Sequence, residues 1–364
     1  MRDTMSQPPQ IVMVIQSLAG RGGERSVITL SKGFVELGCK VHIVCFSHHR
    51  DYDIPDDIEY HVIDISNKLY MALPREVRYK FFAKKFDSYI ARNIGKPELV
   101  LSNLIQQNRI LSHSRLDNIA YIIRNTFSVE YAKAIRKNPG KIINRFRRIY
   151  SKHPCVCVSK GVEADLIKTL GSIGETTTIY NAFDLLEMQR EANSYKPEYN
   201  DYLVHVGTFS HAKAHDVLLK AYAKSSQQLP LVLVGRGKLM AEMKQLCIDL
   251  GIDKKVHFLG FNKNPYPYIK HATALILSSR FEGFVRVVLE AIALNTPVVS
   301  TDCPSGPNEV LPEKNLVPVD DIEALALKMS NIMQYPSEYA VDFDEKYLPA
   351  NIAQQYLNYF SILV

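Results

Sequence analysis

Two acidic residues in the second half of the chain, Glu282 and Glu290, have a type and a spacing suited to a ligand rich in hydroxyl groups. Carboxylate oxygens accept hydrogen bonds from hydroxyls, and one carboxylate can accept from both hydroxyls of a ribose. A helix predicted to start near Val285 leaves Glu282 in a loop and places Glu290 about one and a half turns into the helix. The free N–H groups at that helix start suit a phosphate or a sugar oxygen. The alternative interpretation is a helix-start acid and an ordinary helix-surface acid.

A glycine-rich loop, 20–23, lies between a predicted first strand and a first helix predicted over Ser26–Leu37. Backbone N–H groups of such a loop, including those of Gly22 and Gly23, can bind an anion at a helix N-terminus. The loop lacks the third glycine of G-x-G-x-x-G, and the second predicted strand ends in Cys45-Phe46-Ser47 and not in an acidic residue. The pattern therefore disfavours a nicotinamide dinucleotide, and no P-loop motif occurs elsewhere. A tight turn without a ligand is the alternative.

Polar residues follow two predicted strands of the first half. Asn103 comes after one of them, and Arg124 with Asn125 comes after the next. Because parallel strands end at the same edge of a sheet, these side chains are candidates for contacts with a substrate or a phosphate. Capping of the following helices would explain the same residues equally well.

The chain is long enough for two domains and has the composition of an ordinary globular protein. Its 364 residues exceed what one hydrophobic core normally supports. The 11 His and six Cys residues have no spacing typical of a metal site, and no apolar run reaches the length of a membrane span. The start of the chain lacks a signal-peptide pattern. We therefore expect a cytosolic protein with reduced thiols and without a metal or cofactor.

Positive charge is concentrated in one part of the chain. Residues 71–152 contain 18 Lys and Arg against five Asp and Glu, whereas the whole chain carries a net charge of only +6. This excess predicts a surface that contacts an anionic partner, such as phospholipid, a phosphorylated glycan or nucleic acid. A set of solvated helix faces is the alternative of equal weight.

Short apolar runs alternate with helical stretches, the pattern typical of parallel sheets with crossover helices. Six strands are predicted in each half, so the expected fold class is α/β with two doubly wound Rossmann-like domains facing a central cleft. The polar stretch 188–201 has no apolar face and is the predicted linker. The first domain is expected over 9–187, the second over 202–346, and a terminal helix that can pack back on the first domain over 347–364.

The segment from Glu282 to Glu290, E-G-F-V-R-V-V-L-E, resembles the donor-binding motif of retaining nucleotide-sugar glycosyltransferases of the two-Rossmann, or GT-B, type. The resemblance extends in the right order along nearly the whole chain and is closest to bacterial enzymes that build lipopolysaccharide or capsule. The other segments similar to family elements are Gly22-Gly23-Glu24-Arg25, Tyr180-Asn181, Val206-Gly207 with Lys213, Val234–Gly237, Val256–Gly260 and Thr301–Pro307.

The resemblance implies a retaining transferase that moves a hexose or N-acetylhexosamine from a nucleotide diphosphate sugar to a lipopolysaccharide or lipid-linked glycan. Glu290 would bind the ribose, Lys213 the diphosphate, and Glu282 the transferred sugar, so that Lys213 and Glu282 are the catalytic candidates. Asn103, Arg124 and Asn125 are the acceptor-side candidates. The remaining donor-binding residues that the resemblance implies are Gly22, Gly23, Thr208, Gly235, Leu259, Gly260, Phe261, Gly283, Phe284 and Val285.

The chain departs from the family pattern at two positions. Thr208 stands where many relatives have Arg, and Ala214 stands where a Gly usually follows the Lys. Lys213 would therefore supply more of the charge that a leaving diphosphate needs, with Arg236 or Arg286 as further candidates. No D-x-D motif directly precedes an apolar strand, and the sequence shows no His–carboxylate cluster with ligand spacing, so transfer without a metal is predicted.

Two rival functions follow from the same sequence. One is a sugar-nucleotide epimerase or a phosphorylase of the same architecture. The other is a non-catalytic protein that binds anionic lipid or nucleic acid through the basic half, although the aromatic residues there have helical spacing and nucleic acid is not the expected partner. The expected location is the inner face of the cytoplasmic membrane, with the basic first domain in peripheral contact.

Overall fold

A computed structural model describes residues 7–19, 22–66, 70 and 72–364 of the chain. The chain forms two compact units. One contains the described residues up to Phe183 together with Glu345–Val364, and the other contains Asp184–Asp344. Among the described residues, no helix combines the length and the apolarity that a bilayer span needs.

The first unit is built on a seven-stranded parallel sheet with the order β3-β2-β1-β4-β5-β6-β7. The chain winds from β1 to one edge and then returns to the other side of β1, so the winding reverses between β1 and β4. Ligands of such sheets bind beyond the carboxyl ends of the strands at this reversal. The strands are β1 (Gln10–Ile15), β2 (Lys40–Cys45), β3 (Ile58–Val62), β4 (Leu99–Asn103), β5 (Ile119–Ile123), β6 (Cys155–Cys157) and β7 (Thr176–Thr178).

The central strands of this sheet are apolar on both faces because helices cover both sides. Ile11, Met13 and Ile15 are as buried as Val12 and Val14 between them, as expected for a parallel sheet. The helices of this unit are α1 (Gly22–Glu36), α2 (Arg75–Asn93), α3 (Ile105–Leu111), α4 (Phe127–Glu130), α5 (Ala132–Lys137), α6 (Pro139–Tyr150) and α7 (Lys160–Leu170), with the terminal helix Pro349–Tyr359 added from the end of the chain.

The terminal helix packs directly against α1. A Cβ atom at Gly33 would lie 2.1 Å from the carbonyl oxygen of Pro349, so a residue without a side chain is needed at this crossing. The rings of Phe34 and Tyr356 meet edge to face with their centroids 6.0 Å apart. The last helix of the chain is thus part of the first unit, although the second unit separates the two in sequence.

The second unit repeats the architecture with a six-stranded parallel sheet of order β10-β9-β8-β11-β12-β13. Here the winding reverses between β8 and β11, which predicts a ligand site beyond the ends of these two strands. The strands are β8 (Leu203–Val206), β9 (Leu231–Val234), β10 (Val256–Gly260), β11 (Ala274–Leu277), β12 (Val298–Thr301) and β13 (Leu316–Val317). The helices are α8 (Leu185–Ala192), α9 (His215–Lys224), α10 (Met240–Asp249), α11 (Tyr266–Lys270), α12 (Arg286–Ala293), α13 (Pro307–Val310) and α14 (Ile322–Gln334).

The expected α/β class with two Rossmann-like sheets is confirmed, and three details differ from the expectation. Helix α1 begins at Gly22, so Gly22 and Gly23 form its first turn and not a loop; Gly20 and Arg21 lie outside the described residues. The short strand Thr176–Thr178 was not predicted, because three half-buried Thr residues carry no apolar signal.

The predicted linker 188–201 also differs, because its first residues are helical. Helix α8 starts at Leu185 with Asp184 as its cap, whose Oδ1 accepts from Glu187 N at 2.9 Å. Met188 and Ala192 are buried, and the Glu191 carbonyl accepts from Asn264 Nδ2 at 2.9 Å. The division between the units therefore falls at Phe183 and Asp184, because α8 packs on α11 of the second unit.

Candidate active site

Lys213 and Glu282 form an ion pair in the second unit. Lys213 Nζ lies 2.6 Å from Glu282 Oε1, and Ser279 Oγ donates to the same oxygen at 2.6 Å. The two side chains are 21% and 11% exposed. Lys213 belongs to the loop after β8 and Glu282 to the loop after β11, so the pair lies at the reversal point of the sheet. A half-buried charge pair of this kind can interact with a phosphate through the ammonium and with hydroxyls through the carboxylate.

The loop after β11 holds the Lys213 loop in place. Ser278 Oγ donates to the Lys213 carbonyl at 2.9 Å, and Arg280 N donates to the Ala212 carbonyl at 2.8 Å. The Arg280 guanidinium donates to both Asp216 oxygens, at 3.2 and 2.8 Å. This hydrogen bonding to Asp216 raises the pKa of Arg280. Arg280 therefore fixes the geometry of the site, a role that no sequence spacing indicated.

Ala214, the residue after Lys213, has left-handed backbone with φ 47° and ψ 47°. This conformation favours glycine, because the Cβ of other residues approaches the following carbonyl. The family preference for Gly at this position thus has a local cause. Ala214 keeps the same turn, which ends the short helix His211–Lys213 and begins α9.

Three glycines let the loops after β8 and β9 approach each other. A Cβ at Gly235, where φ is +153°, would lie 1.9 Å from the Gly207 carbonyl oxygen, and a Cβ at Gly237 would lie 2.2 Å from the Phe209 carbonyl oxygen. Phe209 N donates to the Arg236 carbonyl at 3.2 Å. Gly207 itself lies under the side chain of Lys213, whose Cδ and Cε would be 3.4 Å from a Cβ there.

Thr208, where the family pattern leads one to expect an arginine, is exposed in this pair of loops. Arg236 lies in the adjoining loop, with its guanidinium carbon 4.8 Å from the centroid of the Phe261 ring. Arg286 is placed differently, on helix α12, where Nη2 lies 3.5 Å from Glu290 Oε1. Of the two candidate arginines, Arg236 therefore lies in the loop next to the one that carries Thr208, whereas Arg286 lies on a helix.

The three residues expected to contact a nucleobase lie at the end of β10. Gly260 has φ +73°, and its carbonyl oxygen accepts from Gly235 N at 2.8 Å. Leu259 is half-buried, whereas the Phe261 side chain is 60% exposed. The structure thus brings Leu259, Gly260 and Phe261 to the carboxyl edge beside the loop that carries Gly235.

Glu290 lies on α12 as expected. The helix begins at Arg286 after Val285, so Glu290 is in its second turn and 13% exposed. The turn before it, Gly283 to Val285, packs on the loop after β12: a Cβ at Gly306 would lie 3.1 Å from Val285 Cγ2, and Glu282 N donates to the Pro304 carbonyl at 3.3 Å. Phe284 and Val285 are buried by this packing.

Two histidines beneath the Lys213 loop are structural. Burial lowers the pKa of His205 to about 4 and that of His215 to about 2, so both rings are neutral at neutral pH. His205 Nδ1 donates to the Ile276 carbonyl at 2.8 Å, and the His215 ring stacks on Phe209. His211, in contrast, is exposed.

The acceptor-side candidates of the first unit are brought together only in part. Arg124 donates from Nη2 to Asn103 Oδ1 at 2.7 Å and from Nη1 to Asn181 Oδ1 at 2.6 Å. The hypothetical Cβ of Gly23 is 3.9 Å from Arg124 Cδ, so the start of α1 lies over this arginine. Asn125 points elsewhere, with Nδ2 3.3 Å from Glu130 Oε2. A cavity of about 260 Å³ is lined by Arg124, Asn125 and the residues after β4.

A second cavity of the first unit is strongly basic. It has a volume of about 830 Å³ and lies between helices α2, α3 and α6. Its charged and aromatic lining consists of Arg75, Glu76, Tyr79, Lys80, Arg109, His113, Lys141, Arg145, Arg148 and Lys152. We call this cavity the basic groove.

Two arginines of the basic groove are packed against the same ring. The guanidinium carbons of Arg109 and Arg145 lie 5.2 and 5.1 Å from the Phe146 centroid. Burial, followed by the charge of Arg109, lowers the pKa of Arg145. The buried Nε atoms of both have no acceptor among the described residues. The positive charge of both guanidinium groups lies at the groove, where it favours an anionic ligand.

Comparison with known families covers almost the entire chain. The family model Glycosyltransferase Family 4 matches residues 20–186, and the model Glycosyl transferases group 1 matches residues 188–347. A Campylobacter jejuni relative, N-acetylgalactosamine-N,N'-diacetylbacillosaminyl-diphospho-undecaprenol 4-alpha-N-acetylgalactosaminyltransferase, is 28% identical over 329 residues, which cover 88% of this chain and 89% of the relative.

Solved structures resemble the fold over the same length. The apo form of the lipopolysaccharide outer core galactosyltransferase WaaB has a TM-score of 0.72 at 18% identity, covering 97% of this chain and 100% of its own. Anabaena HepE in complex with UDP and glucose has a TM-score of 0.68 at 18% identity, covering 98% and 100%. The two family models and the two doubly wound sheets together show that this chain belongs to the glycosyltransferases of the GT-B fold.

Proposed function

We propose that this glycosyltransferase moves a hexose or N-acetylhexosamine from a nucleotide diphosphate sugar to a phosphorylated, lipid-linked glycan, with retention of the anomeric configuration. The observation that carries the donor half of the proposal is the Lys213–Glu282 pair beyond β8 and β11. The similar HepE structure is a complex with UDP and glucose, a ligand pair of the proposed class.

In this reaction Lys213 stabilises the negative charge that develops on the leaving diphosphate. A fixed cation in a site with little solvent is worth far more than one in water, because it needs no reorganisation as the charge develops. Arg236 adds the second cation from the adjoining loop, in place of the arginine missing at Thr208. Glu282 orients Lys213 and accepts from hydroxyls of the transferred sugar.

Glu290 accepts from the ribose hydroxyls, and its neighbour Arg286 keeps the carboxylate oriented along α12. The backbone of Leu259, Gly260 and Phe261 receives the base. The role expected for Gly22 and Gly23, closing over the donor phosphates, stays a prediction.

Retention without a protein nucleophile requires that the acceptor hydroxyl attack the face from which the diphosphate departs. The departing phosphate oxygen then takes the proton of that hydroxyl, while Lys213 and loop N–H groups supply the charge that a metal supplies in other transferases. Catalysis is thus a matter of orientation and electrostatics.

The proposal is tested by mass spectrometry after incubation with a panel of nucleotide sugars and diphospholipid acceptors, before and after exhaustive chelation. We expect a glycosylated acceptor and free nucleoside diphosphate, at the same rate in both samples. Release of an epimer or a sugar phosphate would instead support the rival enzymes, and a transferase inactivated by chelation would contradict metal independence.

The acceptor half of the proposal rests on the basic groove. Seven Lys and Arg side chains line it against one acidic residue, Glu76, and guanidinium and ammonium groups are the usual partners of phosphate oxygens. The name of the Campylobacter jejuni relative describes an acceptor carried on diphospho-undecaprenol. The diphosphate of such an acceptor carries negative charge that complements the basic groove. We propose that the groove binds the phosphates of such an acceptor, beside an anionic membrane on the cytoplasmic side.

Charge reversal in the groove provides the test. Arg145→Glu with Arg148→Glu is expected to raise the acceptor KM at least about tenfold, and to weaken binding to anionic but not neutral vesicles, because two attractive contacts become repulsive. Nucleotide affinity should not change. Arg147 is left intact, because its Nε donates to the Leu170 carbonyl at 2.7 Å within the fold.

The matched control is Lys96→Glu with Lys168→Glu, the same charge change at exposed residues outside the groove. Equal acceptor KM and equal vesicle binding in both double variants would mean that net charge, and not the groove, governs the interaction.

A further inference from the structure

Three side chains on one face of the first sheet converge as metal ligands do. His42 of β2 and Glu59 of β3 are paired in register, and His61 follows Glu59 by two residues, so all three lie on the same face. His42 Nδ1 lies 3.1 Å from His61 Nε2 and 3.2 Å from Glu59 Oε2, and His61 Nε2 lies 3.7 Å from the same oxygen. In the described part of the chain, this is the group of His, Cys, Asp and Glu atoms that meets ligand spacing.

The distances fit a small divalent transition metal. A triangle with these three sides has a point about 2 Å from every corner, which is the length of Zn–N and Zn–O bonds. Separations of about 3.3 Å between ligand atoms are those of a tetrahedral site. Glu59 is 48% exposed, so water can reach the fourth position.

The ring nitrogens that face away from the cluster are also hydrogen-bonded, as the second nitrogen of a metal-ligating histidine usually is. His42 Nε2 lies 3.2 Å from Gln10 Oε1, and His61 Nδ1 lies 3.1 Å from Tyr89 Oη on helix α2. The side-chain amide oxygen of Gln10 accepts a hydrogen bond from His42 Nε2, so the neutral ring of His42 carries its proton on Nε2. The other ring nitrogen, Nδ1, then has a free lone pair. That lone pair points toward Glu59 Oε2 and His61 Nε2, so that three potential donor atoms for a cation face one another.

We propose that His42, Glu59 and His61 bind one Zn²⁺ ion or a similar divalent transition metal, with water as the fourth ligand. Lys40 holds the other carboxylate oxygen, with Nζ 2.8 Å from Glu59 Oε1, and thereby directs Oε2 toward the imidazoles. Because β3 is the edge strand of the sheet, the metal joins this edge to β2 and, through Tyr89, to α2. The site is structural and independent of the reaction proposed for the second unit.

The test is titration of the chelated full chain with Zn²⁺ by calorimetry, with Co²⁺ absorption as a probe of coordination. We expect one ion per chain, visible bands of tetrahedral Co²⁺, and a higher Tm in the loaded protein. His61→Ala and Glu59→Gln should bind at least about a hundredfold more weakly, and Tyr89→Phe about tenfold to a hundredfold more weakly. The control His49→Ala, at an exposed neighbouring histidine, should bind as wild type.

Glu59→Gln keeps the proposal falsifiable if His61→Ala fails to fold, since the half-exposed Glu59 is not part of the core. Absence of saturable binding in the wild type, or equal affinity in Glu59→Gln and His49→Ala, would overturn the site. At temperatures below the Tm of the Glu59→Gln variant, its transfer activity is expected to equal that of the wild type.

Discussion

Lys213→Ala is expected to lower turnover roughly a hundredfold to a thousandfold, because removing one preorganised charge from such a site costs about 2.7 to 4 kcal/mol of transition-state stabilisation. Two contacts keep the lysine in position: its Nζ pairs with Glu282 Oε1 at 2.6 Å, and its backbone carbonyl accepts a hydrogen bond from Ser278 Oγ. The loss should appear in kcat and only weakly in the KM for the donor, since the charge develops in the transition state. Steady-state kinetics with a nucleotide sugar measure it.

The control is Lys220→Ala, which removes an exposed lysine from the neighbouring helix α9. Because Lys213→Ala also leaves a half-buried Glu282 without this cation, Tm must be compared in parallel, and Lys213→Ala with Glu282→Gln removes that electrostatic cost. A folded Lys213→Ala enzyme with near wild-type kcat would refute the role.

Glu290→Ala is expected to weaken binding of the preferred nucleoside diphosphate by about 1.5 to 3 kcal/mol, or roughly tenfold to 150-fold. A charged acceptor lost from two ribose hydroxyls leaves these donors without a partner in a largely desolvated site. Calorimetric titration measures the effect, and Glu242→Ala, on the exposed face of α10, is the matched control.

The ligand can be changed as well as the protein. A 2′,3′-dideoxynucleoside diphosphate lacks both hydroxyls, so wild type and Glu290→Ala should bind it equally. If Glu290→Ala weakens both ligands by the same factor, the carboxylate acts on another part of the nucleotide or only through Arg286.

The fold was predictable because the strands of a parallel sheet are buried on both faces and therefore appear in the sequence as short apolar runs. Ile11–Ile15 and Leu231–Val234 are examples that match the observed strands to within one residue. Thr176–Thr178 was missed, since an edge strand of polar residues lacks this signal. The start of α1 was misplaced because glycines usually mark turns, whereas Gly22 and Gly23 here begin a helix.

The chemistry was predictable only where one continuous motif carries it. Glu282 and Glu290 share a segment, so their spacing could be interpreted. The bonds of Arg280 to Asp216, and the meeting of His42 with Glu59 and His61, join residues far apart in the chain. Strand register creates the second cluster, and no spacing along the sequence indicates it. The three side chains meet in the first unit only through the fold, and transfer without a metal stays a prediction.

The anomeric configuration of the product, followed by nuclear magnetic resonance during the reaction, tests the central claim most directly. A donor whose sugar is α-linked to the diphosphate should give an α-linked product from the first turnover, together with one nucleoside diphosphate per bond formed, and Lys213→Ala should give neither at a comparable rate. A β-linked product would contradict the proposed same-face mechanism, and a donor left intact in the presence of lipid diphosphate acceptors would contradict the proposed transfer itself.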